Sequence, residues 1–147
     1  TSKLIKREHI ISGDAFNLSW LVKQGLPKKY LKNLKLISGS HITNLLNKLT
    51  PSSANWNGGN SSGWKEDLIA INGFDERMEY GGEDRELGER LFNKGLNSKQ
   101  RRYKAICIHL DHQSSYKTNE ALEKNLAIRK NTKKKKIIKT PFGIKKL

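Results

Sequence analysis

The sequence predicts an incomplete α/β domain, a few short strands with flanking helices, and three observations lead there. Apolar residues recur at helical spacing in several separate stretches. Two short runs, Glu8 to Ser12 and Tyr103 to Leu110, have the apolar, alternating character of strands. Finally, there is neither a glycine-rich phosphate loop nor a series of alternating strands and helices long enough for a complete parallel sheet.

In chain order, Glu8 to Ser12 reads as a strand stopping at Gly13. Phe16, Trp20 and Leu21 follow at near-helical spacing up to Gln24, and Gly25-Leu26-Pro27 ends that element. From Lys28 to Leu49, Leu31, Leu34, Leu45, Leu46 and Leu49 on a lysine-rich background fit one or two amphipathic helices broken at Ser38-Gly39-Ser40. Pro51 to Gly63, rich in Ser, Asn and Gly, reads as a loop. Lys65 to Ile71 predicts a short helix with Glu66 and Asp67 where the helix dipole favours acids, ended by Asn72 and a left-handed Gly73. Glu83 to Lys94 predicts a helix in which Leu87 and Leu91 share a face, Glu86 and Arg90 form an i,i+4 pair, and Gly95 closes the element. Thr118 to about Asn131 predicts a last helix with Leu122 and Leu126 on one face.

Composition narrows the function. The chain has 147 residues, enough for one modest core or a piece of a larger domain. Cys107 is the lone cysteine, so an internal disulfide is excluded, and no apolar run approaches the roughly 20 residues of a membrane span. The formal net charge is +15, and from Arg129 to Leu147 there are nine Lys or Arg and no acid. That end reads as a solvated, partly disordered basic extension with scope for peripheral contact with an anionic membrane. Asp67 to Glu89 is acid-rich instead, unlike a simple nucleic-acid-binding module, whose charge lines its recognition face.

The chemistry-bearing residues lie mostly in residues 58–95, GGNSSGWKEDLIAINGFDERMEYGGEDRELGERLFNKG. Glu83-Asp84 follows Tyr80-Gly81-Gly82 at a helix start. Acids there cap helices, but a pair of glycines costs entropy that a cap does not require. A carboxylate so placed can also act as a general base toward a bound hydroxyl. Gly58-Gly59-Asn60 reads either as a flexible loop tip or as bare amides and an Asn side chain that hold a sugar or diphosphate. His109 and His112 form an HxxH. In a strand, positions i and i+3 point to opposite faces, so both reach one metal only if the chain turns at Leu110-Asp111. His112 is the favoured ligand and His109 stays open. No further ligands accompany them, which argues against a closed structural zinc site.

Taken together, Gly-Gly-x-Ser, Asn-Gly-Phe, aromatic-Gly-Gly-Glu-Asp, Arg90-Leu91 and the later histidine resemble the C-terminal, galactosyltransferase-like segment of inverting family 2 glycosyltransferases. That segment is shared by animal β-1,4-galactosyltransferases, chondroitin polymerases and bacterial surface-polysaccharide transferases. The close likeness spans Trp56 to His112. It implies the C-terminal part of a GT-A, nucleotide-diphospho-sugar transferase fold lacking the N-terminal nucleotide-binding half. The implied organisation is a connecting strand and helices over 1–55, an acceptor and metal-site segment over 56–117, and a helix with a basic tail over 118–147. The implied activity is hexosyl transfer from a UDP-sugar to a glycan or lipid-linked acceptor, in surface-polysaccharide synthesis. It would run in the cytoplasm, at the inner face of the membrane, and would be absent from this segment alone.

Carried over by position, Asp84 would be the base and Glu83 would orient the acceptor. Gly58, Gly59 and Asn60 would lie against the donor sugar and diphosphate. Tyr80, Gly81 and Gly82 would help bind substrate, and His112, with His109, would ligate Mn²⁺ or Mg²⁺. Tyr80 stands where the family usually has Trp, and Arg85 where the animal enzymes have a further acid; the upstream Asp-x-Asp half is not in this sequence. Two other readings accompany this one. A basic nucleic-acid-binding module is disfavoured because the aromatics are scattered, which excludes a stacking platform. A non-catalytic carbohydrate-binding domain would use the same carboxylates without chemistry.

Overall fold

The computed structural model describes residues 4–28, 33, 36, 40–49, 56–101, 103–107 and 118–146. It separates into two units, Thr1–Pro51 with Gln100–Gln113 and Ser52–Lys99 with Ser114–Leu147. Residues 118–146 thus share a unit with residues 56–99.

The first unit holds α1 (Arg7–Ile11), a 3-10 turn (Asp14–Phe16), α2 (Leu18–Lys23) and α3 (Ser40–Leu49). Where Glu8 to Ser12 predicts a strand, the chain is α1. The Lys6 backbone N–H donates to His9 Nδ1 at 3.1 Å, which fixes a helical first turn. Gly13, at φ 84°, stops the helix after five residues. The apolar content of so short a run is two adjacent isoleucines, which suit either period. The end of α2 follows expectation. Asn17 caps it, accepting from the Trp20 N–H at 3.1 Å, and Gly25 leaves it at φ 91°. Ala15 and Leu21 are the buried apolar side chains here, and the His9 and Trp20 rings lie 4.7 Å apart. α3 starts at Ser40, at the expected break; most of residues 29–39 lie outside the described ones. Of the predicted strand at 103–110, residues 103–107 form a turn and no strand, and 108–110 lie outside the description. Ile11, Leu45 and Leu49 are exposed.

The second unit holds α4 (Lys65–Ala70), α5 (Glu83–Asn93) and α6 (Asn119–Lys134), with α6 packed on α5. Thr118 caps α6 by accepting from the Ala121 N–H at 3.1 Å. Its buried residues, Ala121, Asn125 and Thr132, fall on one helical face, while Leu122 and Leu126 are largely exposed. The core is built around a charged pair. Arg90 and Glu86 are 0% and 1% exposed, with Arg90 Nε 2.9 Å from each Glu86 carboxylate oxygen. The guanidinium also donates to the carbonyls of Ile71 at 2.6 Å and Gly73 at 2.7 Å, and Thr132 Oγ1 donates to Glu86 at 2.9 Å. Buried charge is tolerable only when its hydrogen-bonding capacity is filled in this way. Ile71 and Leu87 supply the apolar part.

The basic C-terminal segment is a folded hook, which corrects the expectation of a solvated extension. The hook forms because Asn72 and Gly73 are both left-handed, at φ 67° and 70°, and aim the Asn72 amide at the returning chain. Asn72 Nδ2 donates to the carbonyls of Thr140 at 2.7 Å and Lys145 at 2.8 Å, and its Oδ1 accepts from the Lys145 N–H at 2.8 Å. Thr140 Oγ1 donates to Asp75 at 2.7 Å, and the Glu76 N–H donates to the Phe142 carbonyl at 2.8 Å. Phe142 and Lys146 form an isolated antiparallel bridge, and no strand occurs among the described residues. No described helix is long and apolar enough to cross a membrane.

Candidate functional site

The site is laid out along one face of α5. Asp84 and Gly88 lie one turn apart, so they line the same stripe. Residues 56–58 run along that stripe. A Cβ on Gly88 would fall 2.6 Å from the Trp56 backbone nitrogen, so only glycine lets the chain lie this close. One helical turn nearer the N-terminus, the Gly58 N–H donates to Asp84 Oδ2 at 3.1 Å. Residues 57–61 then form a tight turn rather than a flexible tip. Asn57 N–H donates to Ser61 Oγ and Ser61 Oγ donates back to the Asn57 carbonyl, both at 2.7 Å, while the Asn60 N–H donates to the Asn57 carbonyl at 3.0 Å. Gly58, Gly59 and Asn60 thereby sit in an ordered loop beside Asp84.

The Gly81-Gly82 pair proves to have a backbone reason. The two residues are left-handed, at φ 116° and 92°, and Gly82 is the residue from which α5 starts. Helix α6 covers them: a Cβ on Gly81 would lie 2.5 Å from Leu122 Cδ2, and one on Gly82 3.2 Å from Arg129 Cδ. Asn125, fully buried, donates from Nδ2 to the carbonyls of Glu79 and Gly81, both at 3.0 Å. Glu83 turns back so that its Oε2 accepts from the Gly81 N–H at 2.6 Å, and Asp84 Oδ1 accepts from the Arg85 N–H at 2.7 Å. Both carboxylates are half-buried, and Tyr80 is partly exposed beside the turn.

The Asn72-Gly73-Phe74-Asp75 part of the motif does other work. Burial opposes the charge on Asp75. Hydrogen bonds from the Arg77 guanidinium at 2.9 and 2.7 Å, from Thr140 and from the Arg77 N–H outweigh it and hold the carboxyl below its ordinary value. Opposite Asp75, the Arg77 guanidinium is held above its ordinary range by the same pairing. This cluster fastens the C-terminal hook, as Arg90 fastens α4 to α5.

Of the predicted site residues, then, Gly58 and Asp84 come into direct contact. Gly59 and Asn60 share the loop with Gly58, and Tyr80, Gly81, Gly82 and Glu83 share the turn that starts α5. His109 and His112 lie outside the described residues. Among the described ones, no three His, Cys, Asp or Glu side chains cluster as a metal would need. Sequence reasoning missed Gly88 and Asn125. A glycine four residues after Asp84, inside a helix where alanine would be more stable by about 1 kcal/mol, was the available signal for the first. Asn125 carried none.

The family described as the N-terminal domain of galactosyltransferase matches residues 40–113, half of the chain. That description names an N-terminal domain, where the motif resemblance was to a C-terminal segment; the galactosyltransferase relationship is common to both. No curated protein and no solved structure matches the chain.

Proposed function

We propose a function from one premise: the chain belongs to the galactosyltransferase family whose N-terminal domain matches it, and is a glycosyltransferase-like domain. Its reaction is transfer of a hexose from a UDP-sugar to a hydroxyl of a glycan or lipid-linked acceptor, with inversion, in the assembly of a bacterial surface polysaccharide. The domain is the C-terminal part of a GT-A fold and works in the cytoplasm. The observation that carries this reading is the 3.1 Å contact between the Gly58 N–H and Asp84 Oδ2, which sets a glycine-rich loop against a carboxylate.

In the proposed step the acceptor hydroxyl oxygen bonds to the anomeric carbon while the bond from that carbon to the diphosphate breaks. The diphosphate leaves with the electron pair, and Asp84 takes the hydroxyl proton. Before this step the Gly58 amide gives up Asp84 and donates to donor-sugar or phosphate oxygens, alongside Gly59 and Asn60. Glu83, braced on the Gly81 N–H, orients the acceptor, and Tyr80 offers it an aromatic face. A divalent ion, Mn²⁺ or Mg²⁺, belongs to the same proposal with His112 and His109 as ligands, and it would neutralise the departing diphosphate. The described residues do not form such a site by themselves.

Within the complete enzyme, Asp84→Asn should lower transfer by about 10²–10⁴-fold with UDP binding and circular dichroism unchanged. Undiminished turnover would remove the base assignment. One observation favours a second reading, carbohydrate binding without chemistry: both carboxylates already accept backbone N–H bonds. Calorimetric sugar binding with no transfer from any UDP-sugar would select it.

A further inference from the structure

We propose that the C-terminal hook is a docking surface for an anionic lipid bilayer, with cationic flanks and an apolar tip. The tip is the loop closed by the Phe142–Lys146 bridge. Ile144 is 64% exposed there, Phe142 40%, and Ile138 on the approach 43%. Large apolar side chains left in water on a folded loop mark a binding surface when they cluster. These three lie within seven residues, on backbone tied down by Asn72, Asp75 and Glu76.

Along residues 134–145, in the hook and on the approach to it, the side-chain charge is all basic. Lys134, Lys135, Lys136, Lys139 and Lys145 are exposed and make no ion pair among the described residues. Arg129 and Lys133 pair with Glu89, and Lys146 with Glu76, so the acids nearby are already matched to other cations. Exposed Lys interleaved with exposed Ile and Phe along 134–145 fits the boundary between lipid headgroups and acyl chains, where the ammonium groups meet phosphates and the apolar tip leaves water.

Nucleic acid fits less well. The hook's one aromatic ring, Phe142, carries the Arg77 guanidinium 4.0 Å from its centroid, which occupies a face that a base would need for stacking. Isoleucines have no group to hydrogen-bond a base edge. The proposal is independent of the transferase reading, and its failure would leave that reading intact.

The test is sedimentation of the 147-residue chain with phosphatidylcholine vesicles, with and without phosphatidylglycerol, at low and high salt. Binding should be at least about tenfold stronger to the anionic vesicles and should fall as salt rises. A triple variant, Lys134→Glu, Lys135→Glu, Lys139→Glu, should lose it. Ile144→Ser should weaken it several-fold, with circular dichroism matching the parent chain in both variants. Equal binding to zwitterionic vesicles, no binding to anionic ones, or an Ile144→Ser chain that binds like the parent would each overturn the proposal. So would displacement from anionic vesicles by duplex DNA at a lower phosphate concentration than the lipid.

Discussion

Two pairs of charged residues in α5, Glu83 with Asp84 and Glu86 with Arg90, are put to opposite uses. In the first pair, Glu83 and Asp84 are half-buried, and each oxygen that bonds does so with one backbone N–H from a glycine turn or from the next residue. In the second pair, whose members are one turn apart, Glu86 and Arg90 are fully enclosed, and the pair reaches both neighbouring segments through Ile71, Gly73 and Thr132. The first pair is held by contacts that a ligand can replace. The other cannot change partner without unfolding its surroundings. The difference comes from what lies opposite: loop backbone for the first pair, helix α6 and the end of α4 for the second.

The largest expected effect breaks the second pair. Arg90→Ala leaves Glu86 buried without its partner, at a cost of about 3–5 kcal/mol, a large share of a typical domain's 5–15 kcal/mol. Urea denaturation should show the unit unfolded or barely stable. The comparison is sharpened by the double variant Glu86→Leu, Arg90→Met. Removing both charges should recover part of the loss and no more, because the Ile71 and Gly73 carbonyls still lack their donors. Full recovery would mean that the carbonyl contacts contribute nothing.

Next comes Gly143→Ala. Its Cβ would fall 1.7 Å from the Asn72 carbonyl oxygen, so the hook or the turn must shift. We expect a loss of about 1–3 kcal/mol, read as a lower urea midpoint with an unchanged slope. Asp75 gives a smaller, pH-dependent effect. Its carboxyl is held below the ordinary value in the folded state, so the stability it contributes is fully present above the ordinary carboxylate range. That stability is lost as pH falls through the range toward the lowered native value. Urea midpoints measured downward from neutral pH should therefore fall less steeply for Asp75→Asn than for the parent. The smallest effect belongs to the first pair: Asp84→Asn should change stability by no more than about 1 kcal/mol, since it weakens two half-buried hydrogen bonds. A larger loss would make Asp84 a structural residue like Glu86 and would undercut its proposed role.

Apart from α1, read as a strand although the Lys6–His9 contact that starts it is local, local signals were legible wherever the cause was local. The bounds of α5, the stop of α2 at Gly25, the start of α3 at Ser40 and the left-handed Gly73 all follow from side chains and glycines within a turn of the event. The closeness of the glycine loop to Asp84 was legible only through the whole motif. What could not be read depends on partners far along the chain. The i,i+4 spacing of Glu86 and Arg90 is the same for a surface pair and a buried one, and Thr132, more than 40 residues on, decides between them. The lysines after Arg129 look like a solvated tail until Asn72 is seen to bind Thr140 and Lys145. Leu122 and Leu126 were the apolar choice for α6, yet its packed face uses Ala121, Asn125 and Thr132, because a glycine turn and a charged pair lie opposite. His109 and His112, expected to bind metal, fall outside the described residues.

Asn72 pairs with both the N–H and the C=O of Lys145 as a neighbouring strand would, although a side chain does the pairing. A single amide thus splices the last residues of the chain into its middle. Shortening the protein by a few residues at that end would strip a partner from the Asn72-Gly73 turn, and through Gly73 from Arg90, so a trim at the periphery would be felt at the centre of the unit.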